Sequence, residues 1–454
     1  MKMNIDKIQD KEQLVSWFRS GFKEKSKWMV GTEHEKFAYT FSKKKKRYIP
    51  LSYFGENGIN AFLIELCKFG WLPVYENGNI IELKKEAQSI TLEPGGQIEL
   101  SGAPLKDLHS TCKETNEHLK LVKEVGKKLD ILLVGLGARP NEFLKDVPLM
   151  PKARYDIMRN YMPSKGSRGL EMMHSTCTVQ ANLDFESEQD MKKKTSLAVK
   201  LQPIVTALFA NSPFYEGTFN GFQSLRKHIW TDTDPDRCGI LKIALEDDFN
   251  FSSYVDFALS VPMYFVIREK KYIDCSGKSF LDFLNGKLDI LPGEKPTFED
   301  WENHISTIFT EVRLKKFIEV RGADAGNWRR TCALPAFWVG LLYGESSINS
   351  AEKICCDWTV EEIEKLSLDV AKKGLDAEIK KEKVLNIANE LLKIARGSLV
   401  EREVLDSQGN NESGYLNVLE EIILRKSSPA KELMEKFSNK YNSNFEELMK
   451  DIAY

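Results

Sequence analysis

The stretch KFIEVRGAD, residues 316–324, alternates with the two-residue period of a β-strand. Ile318 and Val320 share its apolar face, whereas Glu319 and Arg321 lie together on the opposite face. Such a pair is either a weak ion pair on a solvated strand or part of a functional surface. The same arrangement recurs elsewhere in the chain, and this favours the functional interpretation.

Three further predicted strands carry polar residues on one face and apolar residues on the other. A merely solvated face would interleave lysines with its acids, but here the acids cluster with Gln, Asn and Thr. The bend Pro94-Gly95-Gly96 interrupts the second strand and can turn Glu93 back towards Glu99. The polar residues of these faces are Glu33 and Glu35 in residues 28–39, Gln97 and Glu99 in residues 91–101, and Gln180 and Asn182 in residues 176–184.

Carboxylates that face one cleft repel one another unless cations neutralise them. All the candidate ligands are oxygen atoms, which favours Mg²⁺ or Mn²⁺ over Zn²⁺. Because such sites often complete their shell with phosphate oxygens, the pattern predicts a nucleoside triphosphate, and Arg321 suits the charge on a transferred phosphoryl group. Arg154 and Arg226 suit bidentate binding of a substrate carboxylate. A surface network of mixed charge is the alternative.

Composition narrows the class of protein. The 454 residues are 42% hydrophobic and 29% charged with a net charge of −2, which argues against nucleic acid as a partner. No apolar run approaches the roughly 18 residues of a membrane span. Residues 1–13 lack a signal sequence, so we expect no membrane and a cytoplasmic location. The eight cysteines have no zinc-type spacing, and the default for each is a buried free thiol.

The chain has no internal repeat and no long linker. We expect a catalytic domain over residues 1–358 and a helical region over residues 359–454 packed on the same domain. The helical region opens with the capping box Thr359-x-x-Glu362. Gly135-Leu136-Gly137 suggests a dinucleotide turn, but Arg139-Pro140 follows where a third glycine should open a helix, so that motif fails.

Several long strings resemble the glutamate–cysteine ligases of the plant and proteobacterial type, over nearly the whole chain. The resemblance implies an ATP-dependent ligase that joins the γ-carboxylate of L-glutamate to the amine of L-cysteine through a γ-glutamyl phosphate. It also implies an α+β fold, similar to the glutamine synthetase catalytic domain, in which a curved, mainly antiparallel sheet forms a funnel with helices outside. The strings are GTEHEKF (31–37), LEPGGQIELSGAP (92–104), MPKARYDIMRNYMP (150–163), CTVQANLDF (177–185), HIWTDTDPDR (228–237) and IEVRGADAGNW (318–328).

The resemblance also implies roles for single residues. Arg321 resembles the arginine that stabilises the transferred phosphate, and Gln180 lies where the family places a residue near nucleotide and phosphate. Arg154 and Arg226 resemble the arginines that hold glutamate. The acids implied as ligands of Mg²⁺ are Glu33, Glu35, Glu93, Glu99 and Glu319, the last also counted as catalytic.

Regulation and partners follow from the same resemblance. Cys112 and Cys332 match a regulatory disulfide of the plant enzymes, with two free thiols as the alternative. The second plant disulfide is excluded, because Cys275 would face Ile290. Glutathione is the expected feedback inhibitor, and the chain is expected to be a monomer or a homodimer. Two other functions stay open: a different carboxylate–amine ligase on this scaffold, or a silent nucleotide- or divalent-ion-binding regulator.

Overall fold

One antiparallel sheet organises the computed structural model, which describes residues 7–454. Among these residues the sheet has ten strands in the order β15-β16-β8-β1-β6-β5-β4-β3, and β2 and β7 also pair with β1. Its strands are β1 (Val30–Ser42), β2 (Arg47–Pro50), β3 (Leu72–Glu76), β4 (Asn79–Lys85), β5 (Gln88–Leu92), β6 (Ile98–Ser101), β7 (Ile131–Val134), β8 (Thr178–Leu183), β15 (Val312–Leu314) and β16 (Ile318–Asp324).

Eight short strands form two-stranded ribbons outside this sheet, as far as residues 7–454 are concerned. Strands β12 and β13 form an antiparallel hairpin, and β11 and β14 pair in parallel. The ribbons are built from β9 (Phe214–Tyr215), β10 (Thr218–Phe219), β11 (Cys238–Gly239), β12 (Phe265–Arg268), β13 (Lys271–Asp274), β14 (Phe309–Thr310), β17 (Glu378–Ile379) and β18 (Glu382–Lys383).

Helices lie between and after the strands. None of those described, in residues 7–454, is long and apolar enough to cross a membrane. Those before the last sheet strand are α1 (Lys11–Arg19), α2 (Ile59–Cys67), α3 (Leu108–Lys128), α4 (Ala153–Tyr161), α5 (Gly169–Ser175), α6 (Glu188–Phe209), α7 (Leu225–Trp230), α8 (Phe251–Ser260), α9 (Phe280–Leu284) and α10 (Phe298–Ser306). Those after it are α11 (Trp328–Leu342), α12 (Glu345–Cys355), α13 (Val360–Lys373), α14 (Val384–Glu401), α15 (Asn417–Arg425), α16 (Pro429–Asn439) and α17 (Phe445–Asp451).

The apolar face of the sheet packs against α6, α11 and α3. Val179, Ala181, Ile318 and Val320 are buried there, as the alternation predicted. The mixed α/β fold with a large antiparallel sheet is therefore confirmed. The α13–α17 region shares the same core, because α14 packs on both α11 and α6.

Two local predictions need correction. The helical spacing of apolar residues such as Ile8, Leu14 and Phe18 predicts a helix over residues 5–25. Helix α1 begins only at Lys11, because the Asp10 side chain caps it by accepting from the Gln13 N–H. Residues 5 and 6 lie outside the described residues. The strand predicted over residues 316–324 begins only at Ile318, and it forms the second arm of a hairpin in which Arg313 lies opposite Glu319. The capping box of α13 at Thr359 is confirmed.

Candidate active site

The polar face of the sheet brings most of the predicted site residues together. In an antiparallel pair, residues directly opposite each other point to the same face. Glu35 on β1 lies opposite Glu99 on β6. On the other side of β1, Glu33 lies opposite Gln180 of β8. One strand further, Asn182 of β8 lies opposite Glu319 of β16. Four neighbouring strands therefore present acids and amides to one surface.

The acids of β1 and β6 lie close enough to disturb each other's ionisation. Burial and the charge of Glu93 raise the pKa of Glu35 to about 8. Burial, followed by the charges of Glu93, Glu33 and Glu35, raises the pKa of Glu99 well above its usual range. Arg226 and Arg321 partly oppose this effect at Glu35, but the raised pKa values mark a cluster in which the carboxylates disfavour each other's ionised form.

Glu93 reaches this cluster through the bend at Pro94–Gly96, as the sequence predicted. The Glu93 carbonyl accepts from the Gly96 N–H at 2.8 Å, and the Gly95 N–H donates to the Gln97 side chain at 2.9 Å. Arg139 is buried and donates to the Gly95 carbonyl at 2.7 Å and to the His174 carbonyl at 2.9 Å. The bend that carries Glu93 is thus fixed against α5.

Glu319 has the opposite surroundings. It is fully buried, and Arg313 donates to both of its carboxylate oxygens, at 2.6 and 2.8 Å. Lys315 lies 3.4 Å away, and Arg321 donates to it at 2.7 Å. Burial alone would raise the pKa of Glu319, but these cations, Arg313 first, hold it well below its usual range. Glu319 is thus an ionised acid whose charge is balanced by neighbouring cations, whereas Glu35 and Glu99 beside it have raised pKa values.

Gln180 links the two regions. Its amide nitrogen donates to Glu99 at 3.4 Å, and its amide oxygen accepts from the Arg321 guanidinium. Asn182 plays a parallel part, since its amide nitrogen donates to Glu33 at 2.8 Å. The two amides therefore hold Arg321 and two of the acids in a fixed relation.

The two predicted carboxylate-binding arginines line one cavity. Arg154 and Arg226 face it together with Glu35, Glu93 and Arg321. Within residues 7–454 neither arginine has a hydrogen-bond partner for its buried Nε. Arg226 donates through Nη2 to the Arg321 carbonyl at 2.8 Å. Burial lowers the pKa of Arg226, and Asp324 is the acid that most opposes this effect.

The donors fit a divalent cation by chemistry but form no preassembled site. In the described part of the chain, no three His, Cys, Asp or Glu side chains converge tightly enough to hold a metal ion. The raised pKa values of Glu35 and Glu99 nevertheless mark a cluster that a bound cation would relieve, with oxygen ligands suited to Mg²⁺ or Mn²⁺.

Cys112 on α3 and Cys332 on α11 lie side by side as free thiols. Burial, and then the hydrogen bond with Cys332, raises the pKa of the Cys112 thiol well above its usual range. The pairing predicted from the resemblance is therefore compatible with the positions of both residues, and the disulfide itself is absent.

Comparison with known proteins identifies the family. The model of glutamate–cysteine ligase family 2 matches residues 29–451. This chain belongs to that family. The chloroplast glutamate–cysteine ligases of Nicotiana tabacum and Solanum lycopersicum are each 50% identical to it, over 98% of this chain and 83% of theirs.

A solved structure agrees on the fold of this family member. The glutamate–cysteine ligase of Francisella tularensis in complex with AMP superposes with a TM-score of 0.55 at 12% identity. The match covers 95% of this chain and 90% of the other. At this identity the likeness supports the fold alone.

The relatives contradict the expected cytoplasmic location. The glutamate–cysteine ligases of tobacco, tomato, Medicago truncatula and Arabidopsis thaliana are all named chloroplastic. The cytoplasmic prediction is wrong. It rested on the composition of residues 1–13, and a targeting segment leaves no trace in the folded domain from which location could be inferred.

Sequence reasoning missed several residues of this glutamate–cysteine ligase site. Arg313 could have been found, because VRL (312–314) alternates like a strand and a short loop separates it from Glu319. Arg139 gave no such signal, since its partners Gly95 and His174 lie about 40 residues away in either direction. Tyr155, which donates to the Leu92 carbonyl at 2.5 Å, lies beside the predicted Arg154.

Proposed function

We propose that this chain joins the γ-carboxylate of L-glutamate to the amine of L-cysteine at the expense of ATP, the first step of glutathione synthesis. Membership of the family supports the reaction. The observation that carries the proposal is one cavity in which Glu35 and Glu93 face Arg154, Arg226 and Arg321. Such a site has the negative charge that a cation–phosphate group requires and the positive charge that a carboxylate requires.

The reaction has two steps. The γ-carboxylate attacks the γ-phosphorus of ATP, which forms γ-glutamyl phosphate and releases ADP. The cysteine amine then attacks the acyl carbon and loses a proton, and phosphate leaves with one former carboxylate oxygen. Arg321 faces the cavity, and its side chain is held by Glu319 and Gln180. A guanidinium fixed in this way can stabilise transferred phosphoryl oxygens without reorganising.

Mg²⁺ or Mn²⁺ is the cofactor in this proposal. When bound, it supplies positive charge to the phosphate oxygens of ATP. The raised pKa values of Glu35 and Glu99 support this assignment for those two residues. The residues proposed to hold it are Glu33, Glu35, Glu93, Glu99 and Glu319.

Glu319 has a further proposed role within that set. Its oxygens accept hydrogen bonds from Arg313, so its charge is compensated by the protein itself. Its ion pair with Arg321 supports a role in orienting that arginine. Gln180, which also contacts Arg321, is proposed to lie beside the nucleotide phosphates.

Arg154 and Arg226 are proposed to bind the carboxylates of glutamate. The cation–π contacts of Arg154 with Tyr155 and Phe265 leave its edge free for hydrogen bonding. Arg226 donates one N–H to the Arg321 carbonyl, and its remaining donors are available to a ligand.

The remaining parts of the proposal concern the whole chain. We propose that the sheet is curved into a funnel with outer helices, as in the glutamine synthetase catalytic domain, and that residues 359–454 pack on the catalytic domain of residues 1–358. Glutathione is the proposed feedback inhibitor of a monomer or homodimer. A Cys112–Cys332 disulfide is proposed to regulate activity; Cys112→Ser should then remove any difference between oxidised and reduced enzyme.

ADP release is the test of the reaction. Purified protein with ATP, Mg²⁺ and glutamate should release ADP rapidly with cysteine and far more slowly with ammonia or an amino acid of different side chain. Release that is faster with another amine would identify a different ligase on this scaffold. No amine-dependent release would reject the enzymatic function and leave a silent nucleotide-binding protein.

A further inference from the structure

Asp324 is a buried acid that the proposed reaction does not use. It ends strand β16, three residues after Arg321, and is 2% exposed. Its Oδ2 accepts from the Asn211 backbone N–H at 2.8 Å and from Ser212 Oγ at 2.6 Å. Its Oδ1 accepts from Ser224 Oγ at 2.8 Å. All three donors are neutral groups, so Asp324 is held by hydrogen bonds and not by a cation in direct contact.

The two serines relay the contact to helix α7. Ser224 caps this helix, since its Oγ accepts from the Lys227 N–H at 3.1 Å. Ser212 Oγ accepts from the Arg226 N–H at 3.2 Å. Each hydroxyl has one proton to donate, and both give it to Asp324, so their lone pairs face the helix. The carboxylate thereby fixes the direction of both hydroxyls.

Arg226 completes a closed circuit with the same strand. Its backbone is tied to Asp324 through Ser212, and its side chain donates to the Arg321 carbonyl at 2.8 Å. Strand β16 therefore contacts the six-residue helix α7 at two points, through Asp324 and through the Arg321 carbonyl. This arrangement fixes the separation between the guanidinium groups of Arg226 and Arg321.

The surroundings leave Asp324 no room to move. A Cβ added at Gly137 would lie 2.3 Å from the Asp324 Cγ. Asn211 is itself held, because its amide donates to the Gly135 and Ala325 carbonyls at 3.1 and 2.8 Å. A carboxylate whose hydrogen-bond partners are themselves held in place can keep the groups that it binds in fixed positions.

We propose that Asp324 is a positioning residue that holds Arg226, through Ser212 and Ser224, at the distance from Arg321 that glutamate binding requires. The inference rests on the proposed function, because it takes Arg226 as a group that binds the glutamate substrate. Asp324 itself touches no substrate. Its effect should therefore fall on glutamate binding and leave ATP binding intact.

Asp324→Asn tests the proposal with a side chain of equal size. The amide nitrogen replaces one acceptor by a donor, so a serine hydroxyl must rotate and the relay weakens. We expect KM for glutamate to rise about tenfold, with KM for ATP within about twofold of the wild type. Thermal unfolding of the same samples shows whether the variant is folded.

Asp184→Asn is the matched control. Asp184 is also a buried acid at the end of a sheet strand, and it accepts from the Met29 N–H at 2.8 Å and from Lys23 at 2.7 Å. Within residues 7–454, the side-chain hydrogen bonds of Asp184 go to Lys23 and Met29, and none reaches helix α7. We expect this variant to lose similar stability and to keep its KM for glutamate.

A double-mutant cycle separates positioning from general structural damage. If Asp324 acts through Arg226, Asp324→Asn should add little to the defect of Arg226→Lys. Additive effects, or an equal KM change in Asp324→Asn and Asp184→Asn, would overturn the proposal. Should Asp324→Asn fail to fold, Ser212→Ala decides: an unchanged KM for glutamate would overturn it, and a rise of about threefold would support it.

Failure of the proposal is distinguishable from failure of the proposed function. A wild-type protein that releases no ADP with glutamate and cysteine rejects the function before any variant is made. An active wild type with an unaffected Asp324→Asn variant rejects only the positioning role.

Discussion

Glu99 and Glu319 are buried acids on one face of one sheet, yet their surroundings carry opposite charge. Three cations surround Glu319, whereas burial and then three other glutamates raise the pKa of Glu99. In the absence of metal, the ionised Glu319 therefore stabilises the folded protein, whereas the ionised form of Glu99 destabilises it. Both residues are glutamates, and both were predicted from the sequence to be ligands of Mg²⁺.

Glutamine substitutions should separate the two acids. Glu319→Gln leaves buried arginines without their counter-charge, and we expect the free energy of unfolding to fall by about 3–5 kcal/mol. Glu99→Gln removes a repelling group, and we expect unchanged or higher stability in EDTA together with lost activity. Urea denaturation of both variants measures this difference, and equal losses would refute the electrostatic description.

The pH dependence of metal binding is a second prediction at this scale. The pKa of Glu35 rises from 4.5 to about 8 in the metal-free fold, through burial and Glu93. The folded state then keeps a proton that the unfolded state has released, so this group's contribution to stability is present below pH 4.5 and is lost as pH rises to about 8. Mg²⁺ needs the carboxylate, so its affinity should rise with pH up to about 8.

Titration calorimetry checks this linkage. At pH 7, Mg²⁺ binding should release protons from Glu35 and Glu99, seen as a binding enthalpy that depends on the ionisation enthalpy of the buffer. Glu35→Gln should reduce that release. Proton-independent binding by the wild type would show that Glu35 is already ionised and would contradict the assignment.

At the scale of elements, the bend between β5 and β6 sets the place of Glu93. A Cβ at Gly95 would meet the His174 carbonyl oxygen at 2.3 Å, so Gly95→Ala must displace the bend. Since an error of about 1 Å in a catalytic group can cost on the order of 10²-fold in rate, we expect such a loss of kcat.

Gly397→Ala is the control for that substitution. Gly397 lies within α14, and a Cβ there meets nothing within 4 Å. We expect kcat to stay at the wild-type value, as measured by ADP release. A Gly95→Ala enzyme with comparable activity would show that the bend has slack and that the position of Glu93 is not critical.

The elements also show what the sequence could and could not predict. Alternation found the strands that carry Glu33, Glu35, Glu99 and Glu319, because burial on one face leaves a period of two. Register could not be found in this way, since which acid faces which depends on pairing between segments far apart. The β15–β16 hairpin was missed because its loop, Lys315–Phe317, lacks glycine, proline and asparagine.

At the scale of the whole molecule, long-range partners explain the remaining gap. Asp324 meets Asn211, Ser212 and Ser224, about 100 residues away, and nothing local marks it as important. The resemblance supplied the pairing of Cys112 with Cys332, which no spacing could reveal. The family resemblance therefore predicted roles that alternation and composition could not. The structure then identified further residues that hold the predicted site residues in place.

The apolar cluster shared by the catalytic part and the C-terminal helices should give one unfolding transition for both. The apolar cluster that contains Leu14 and Ile318 also contains Leu399 and Leu448, so residues 359–454 share the core of the catalytic part. We expect calorimetry to give a single transition, with equal calorimetric and van't Hoff enthalpies. Two resolved transitions would instead assign the C-terminal helices to a domain that unfolds independently.

The fate of a γ-carboxylate oxygen of glutamate tests whether the reaction passes through γ-glutamyl phosphate. The enzyme is given ATP, Mg²⁺, cysteine and glutamate labelled with ¹⁸O in its γ-carboxylate, and mass spectrometry follows phosphate and peptide. We predict γ-glutamylcysteine together with inorganic phosphate that carries one ¹⁸O atom, because the carboxylate oxygen leaves with the phosphate. Product formed with unlabelled phosphate would contradict an acyl phosphate at this site.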